Sequence, residues 1–372
     1  MRRSPLRLVL VAGLALLLIA VGGAALTGLY TDALWFDALG YRSVFWTRLG
    51  HDVVVRSVAG LLAAGIVFLN LALVLRHVGP VRLRRRYGNI EIAEQIPRRY
   101  LVIGVVVTAL LAGWWLSTLQ FGDGAALGLV AWLRRVAWAA AEPVFGRDLS
   151  WYAFALPAYF QIVDFFLLTA IWSGALVLLG YVVVGSVRWS GGRPQMGGHA
   201  RIHLAALVAA VILLLGLRYW LGRYGLLLDG GGVGGAFGYT DLHARVPAHR
   251  ILALLAAITA GAVFWGARRR SWVAPAAAGV TFLLAVIVVG ELYPAFVQRF
   301  RVEPNEFTRE APYIEWNIDF TRRAYGLDGI GERRYPYRPE RQVTWERVGS
   351  RLSSLPLWDP EPLQAAFNQV QS

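Results

Sequence analysis

Cysteine is absent from all 372 residues. Disulfides, thiolate metal sites and cysteine nucleophiles are therefore excluded. Lysine is absent as well, and each of the 37 basic residues is arginine. No G-x-x-x-x-G-K-[ST] phosphate loop exists, and neither H-E-x-x-H nor G-x-S-x-G occurs. The sequence signatures of P-loop nucleotide binding, zinc peptidases and the serine nucleophile elbow are thus missing. Charge is also scarce. Only 16% of residues are charged, against about 25% in an average soluble chain.

Apolar residues fill the gap. They make up 57% of the chain, with a mean hydropathy of +0.50, where a soluble domain has about 45–50%. The surplus must face something other than water, and lipid is the economical reading. Fifteen Trp, fifteen Tyr and seventeen Phe agree with it, because aromatic rings collect where bilayer meets water.

A helix needs about 20 mostly apolar residues to cross the hydrocarbon core. Seven segments meet or approach that length: Leu8–Leu29, Val53–Leu75, Leu101–Leu119, Leu156–Val184, Ile202–Trp220, Ile251–Gly266 and Val273–Val289. Lipid leaves helices as the open choice for runs this long. The expected fold is an all-α membrane protein, a polytopic bundle of seven transmembrane helices with an extracytoplasmic C-terminal segment. The first segment is read as a retained helix. Its apolar run of about 20 residues exceeds the 7–15 of a signal peptide, although cleavage would leave six spans.

Arginine placement orients the bundle. "MRRSPLR", the loop from Arg76 to Tyr100, "SVRWSGGRPQMGGHAR" and "RRRSW" together hold 16 Arg against Glu91 and Glu94. The opposite loops and helix ends hold ten Arg against eight acids, and the stretch from Pro294 to Ser372 balances 11 against 11. The arginine-rich face is therefore expected in the cytoplasm, with the N-terminus inside and the C-terminus outside. The net charge of +14 then lies against anionic inner-leaflet lipids, which attract each such residue by about 1 kcal/mol. No nucleic-acid-binding motif accompanies it.

Several residues carry candidate chemistry. "LLLDGGGVGGAFGYTD" contains Gly230, Gly232 and Gly235 at G-x-G-x-x-G spacing. It lacks the preceding strand, the helix opening at the last glycine and the acid about 20 residues on, so it reads as a mobile outer loop rather than a dinucleotide site. Asp164, inside "YFQIVDFFLLTAIW", costs about 2.5–3.5 kcal/mol at membrane depth and needs a partner or water. Arg218, near the outer end of the fifth segment, is the expected partner, and Gln161 shares the Asp164 face. Glu291 reads as an interfacial residue beside Tyr293. His243 and His249 lie six apart, on different helical faces, with no third ligand evident beyond Asp241. His199 and His203 read as interfacial rings. Glu142 and Asp148 share an outer loop, which alone does not make a glycosidase pair. No catalytic residue, metal site or cofactor is assigned. Beyond the last segment, "APYIEWNIDFTRRAYGL" places Ile314, Ile318, Thr321 and Tyr325 at the spacing of an amphipathic helix.

Five stretches now stand in order: "LWFDALGYRSVFWTRL", "AEPVFGRDLSWYAFALPAY", "GYTDLHARVPAHRILALLA", "PNEFTREAPYIEWNIDFTRRAYGLD" and "LWDPEPLQAAFNQVQ". Together they resemble the UPF0182 family of bacterial integral membrane proteins, found notably in actinobacteria. The resemblance spans the chain. One departure is Glu142-Pro143, where members often have Asp-Pro, and it retains the acid. The resemblance implies seven N-terminal membrane helices followed by a large extracytoplasmic region. Members are far longer, so the chain is expected to correspond to the N-terminal membrane portion. Residues 1–293 form the expected transmembrane region, and 294–372 the start of a larger outer domain. The family is uncharacterised, so no reaction is implied. The expected role is anchoring an extracytoplasmic domain in cell-envelope structure, with an envelope protein as partner. A transporter or ion pathway using Asp164 is one alternative. A membrane enzyme whose active site lies in the further C-terminal region is the other.

Overall fold

A computed structural model describes residues 22–24, 26–76, 82–87, 90–95, 97–122, 124–190, 193–271, 273–331, 333–335, 349 and 360–370. Two compact units are present, Met1–Asn317 and Ile318–Ser372.

Among its described residues the first unit is helical, apart from two hairpins and the connecting loops. Residues 22–24 and 26–38 are helical and precede α1 (Arg42–Arg76), α2 (Arg98–Gln120) and the short α3 (Ala125–Leu133). α4 (Leu156–Val183), α5 (Gly198–Gly225) and α6 (Val246–Arg269) follow. The chain then runs through α7 (Val273–Ala285), the one-turn α8 (Tyr293–Val297) and α9 (Glu306–Ala324). Strands β1 (Arg82–Tyr87) and β2 (Ile90–Gln95) pair antiparallel between α1 and α2, with Arg82 opposite Gln95. Strands β3 (Val187–Ser190) and β4 (Arg193–Met196) do the same between α4 and α5, with Val187 opposite Met196. The two hairpins have no counterpart among the apolar runs of the sequence, and α3, an apolar run of 9 residues, is too short to count among the seven.

Six helical stretches are long and apolar enough to cross a membrane: Arg42–Arg76, Arg98–Gln120, Trp151–Val183, Gly198–Gly225, Asp241–Arg269 and Val273–Ala324. The first expected segment, Leu8–Leu29, lies mostly outside the described residues, so the expected seven stand as six among those described. The helices also outrun their hydropathy. α1 starts at Arg42 rather than Val53, and the last stretch continues to Ala324 rather than Val289. Hydropathy marks where lipid begins and ends, whereas the i→i−4 ladder continues wherever the backbone finds its own partners.

Small residues set the crossings. α2 meets α1 at Gly113, where a Cβ would fall 2.3 Å from the Gly60 carbonyl oxygen and 2.7 Å from the Ala64 Cβ. α5 meets α6 at Gly216, where a Cβ would sit 2.8 Å from that of Ala256. Lipid tails are as apolar as leucine, so close backbone approach and dispersion carry membrane-helix association. Large apolar side chains point outward instead, with Leu111, Trp114, Leu179, Leu254 and Leu283 all exposed. Contiguous apolar surface on this scale marks a non-aqueous surrounding.

One polar bridge crosses the interior. His203 of α5 contacts the Tyr181 hydroxyl of α4 through Nδ1 at 3.1 Å and the Asn70 Oδ1 of α1 through Nε2 at 2.9 Å. His203 is thus not the interfacial ring that its position suggests, and it joins three helices.

In the second unit, a 3₁₀ turn at Leu327–Gly329 follows the end of α9, and α10 (Pro360–Val370) exposes Leu363, Phe367 and Val370. Most of "RRYPYRPERQVTW" lies outside the described residues.

Candidate functional site

The densest polar chemistry gathers at one end of the bundle, where α4 and α6 begin and α5 ends. Two loops there are each tied by a swallowed carboxylate. Glu142, 4% exposed, accepts the backbone N–H groups of Val144, Phe145 and Arg147 at 2.6–2.8 Å and the Tyr152 hydroxyl at 3.0 Å. Asp241, fully buried, accepts the N–H groups of Gly231 and Gly238 and the Arg245 guanidinium, each at 2.9 Å. A buried carboxylate survives only with such partners. Asp148 is tied as well. The Ser150 hydroxyl and the Trp138 amide hold its carboxyl below the usual range. Glu142 and Asp148 are therefore acceptors for the backbone of their own loop, Glu142 through both oxygens and Asp148 through Oδ1.

The glycine stretch closes on itself. Gly230 N–H bonds the Gly235 carbonyl and Gly232 N–H bonds that of Ala236. A Cβ at Gly231 would fall 2.2 Å from Arg245 Nη1. The expected free loop is thus a lasso cinched on Asp241 and Arg245, and its glycines are needed for backbone approach rather than for a phosphate.

A shared device aims these elements. Four π-helical turns, Trp151–Ala155, Asp241–Arg245, Val286–Leu292 and Gln298–Val302, each end two residues before a proline: Pro157, Pro247, Pro294 and Pro304. Proline lacks an N–H, and its ring presses on the carbonyl four residues back. Widening the preceding turn to i→i+5 relieves that clash without breaking the helix.

α9 docks on the lasso. Glu310, 2% exposed, accepts the Tyr239 N–H at 3.1–3.2 Å, and a Cβ on Gly238 would fall 2.7 Å from its Oε2. Tyr313 packs on Phe237, with Leu226 and Val246 in the same buried cluster. Glu310 lies past the apolar stretch of its long helix, and burial pushes its carboxyl up. The expected apolar stripe is displaced. Ile318 and Tyr325 are exposed, whereas Glu310 and Tyr313 form the buried face. No periodicity of hydropathy would have found an acid at that position.

Below this cap, the Arg218 guanidinium hydrogen-bonds the Asp164 carboxylate, linking α5 to α4. Gln161 does not join them and donates to the Gln120 carbonyl of α2 at 3.3 Å. The pair is open, its side chains 47% and 32% exposed. Beside it, a cleft of about 380 Å³ is lined by Phe160, Leu215, Arg218, Tyr219, Gly222 and His249. His249 packs where Gly222 leaves room, and a Cβ there would fall 3.3 Å from its Cε1. His243 lies elsewhere, stacked on Tyr239 at 4.1 Å. Among the described residues no three His, Asp or Glu side chains converge to hold a metal.

Among the described residues, six apolar helices around small-residue crossings fit an all-α fold of membrane type. Comparison with known proteins supplies the family. Residues 8–372 match the uncharacterised protein family UPF0182, and the chain belongs to that family. UPF0182 proteins of Mycobacterium avium (strain 104), Mycobacterium bovis (strain BCG / Pasteur 1173P2) and Mycobacterium tuberculosis (strain ATCC 25618 / H37Rv) are each 35% identical to it, over 100% of this chain. The chain spans 37% of the length of those relatives. No solved structure matches.

Proposed function

We propose that the chain is a multi-pass part of a bacterial plasma-membrane protein that anchors and positions an extracytoplasmic region in the cell envelope. The carrying observation is the clamp on α9: Glu310 and Tyr313 hold the segment after the last apolar stretch against the lasso of Gly230–Gly238. A rigid cap of this kind suits a protein whose relatives are far longer than the matched region. The arginine-rich end faces the cytoplasm in this reading, and the cap and residues 294–372 face outward. The absence of native cysteine makes the test direct. A membrane-impermeant maleimide should label Gly329→Cys in intact cells and Gly197→Cys only after permeabilisation. The reverse pattern overturns the orientation. Loss of the clamp in Glu310→Ala should open α9 to protease in detergent, and unchanged cleavage removes the anchoring argument.

A second reading, a transporter or ion pathway, has one observation in its favour. Asp164 and Arg218 form an open pair within the apolar helices, where ionisable groups mark pathways. Proteoliposome flux that Asp164→Asn leaves unchanged would remove it.

A further inference from the structure

We propose that the cleft beside Arg218 seats a phospholipid headgroup, with the phosphodiester on the Arg218 guanidinium and an ammonium group toward Glu291. The inference rests on the membrane-spanning reading and adds a ligand to it.

A guanidinium carries five N–H donors. Asp164 satisfies one of them, and Phe160 lies 5.8 Å beneath the group as a cation–π contact. The other donors have no hydrogen-bond acceptor among the described residues and face an open cleft. Guanidinium donors turned to an open cleft are best met by a charged oxygen acceptor, which they can bind through two parallel hydrogen bonds. Tyr219 and His249 bring a phenol and an imidazole to the same lining. The cleft thus offers more donors than acceptors, which selects an oxyanion.

Charge around the cleft narrows the class. Asp164 is paired with Arg218, and Asp241 with Arg245. Glu291, exposed on the π turn Val286–Leu292, has no cationic partner among the described residues, and its turn packs on the helix that carries His249, where a Cβ at Gly290 would meet Leu252 Cδ1 at 3.4 Å. A bare anion would meet Arg218 and be opposed by Glu291. A zwitterion satisfies both. Depth agrees with a headgroup. Arg218 stands seven residues before the end of α5, about 10 Å along the axis. Exposed Trp220 is close by in sequence, at a level where aromatic rings mark the bilayer boundary. A volume of about 380 Å³ falls within the range of small-ligand sites, about 300–1,000 Å³.

The test uses the full chain. Carbonate extraction first establishes that it is membrane-embedded, and release into the supernatant refutes the spanning reading rather than the site. Protein from vesicles of equal parts phosphatidylglycerol and phosphatidylethanolamine is then examined by native mass spectrometry. One retained phosphatidylethanolamine per chain is expected. Tyr219→Phe should lower its occupancy about tenfold, the loss of one hydrogen bond to a charged group. Asp164→Asn with Arg218→Gln, which leaves a neutral hydrogen-bonding pair and guards against misfolding, should abolish it. Glu291→Gln should erase the preference for phosphatidylethanolamine over phosphatidylglycerol. No retained lipid, or retention indifferent to all these variants, overturns the proposal. Thermal stabilisation by inorganic phosphate equal to that by lipid assigns the cleft to a free oxyanion and overturns the lipid assignment.

Discussion

In the body of the bundle, α1 and α2 touch where Gly113 faces Gly60, backbone against backbone. In the cap, chains meet through carboxylates: Glu142 gathers three backbone N–H groups and a tyrosine hydroxyl, and Asp241 gathers two and a guanidinium. The difference follows from solvent. Helices in lipid satisfy their own backbones, so only shape is left to bind them. The cap is built of loops and widened turns whose N–H groups need outside acceptors, and buried acids are the strongest available.

If that contrast is right, the cap should be more fragile to a single polar deletion than the body is to any lipid-facing change. Glu142→Ala strands four donors at once and should cost about 3–5 kcal/mol, the penalty for breaking a buried charged network. Unfolding in detergent, followed by tryptophan fluorescence, measures it, and Leu111→Ala on the lipid face is the control. A loss no greater than the control's would erase the comparison. The body should fail differently. Gly113→Val overpacks the α1–α2 crossing and should cost about 1–3 kcal/mol, read on the same denaturation curve. A neutral result would mean that shape does not hold this pair.

The smallest effect sharpens the comparison through pH. Burial raises the Glu310 carboxyl, so the folded cap favours its protonated form. The stabilisation it gives is full below the ordinary carboxyl value and fades as pH rises through the elevated one. Hydrogen exchange of α9 amides should therefore slow as pH falls through that window, after correction for intrinsic rates. Glu310→Gln should flatten the trend. Protection that grows with pH in the wild type would contradict the burial argument.

Parts of this were legible in the residues. Long apolar runs announced six of the described helices, and Asp164 drew notice because an acid costs so much there. The clamp was not legible. Glu310 reads as an ordinary acid near the start of an amphipathic helix, with Ile318 and Tyr325 on its packing face. The π turns carry only a faint sign, a proline shortly after each. His203 could not be told from an interfacial ring, because its partners Asn70 and Tyr181 lie far off in sequence.

Composition and hydropathy by themselves pointed to a membrane surrounding and determined the long helices of the body, because transfer of side chains to lipid is a local, additive property of each segment. Tertiary structure alone decided which acids are swallowed, where the glycine loop cinches, and what surrounds Arg218. Those outcomes depend on groups brought together from distant parts of the chain, and no single segment encodes a distance between two others.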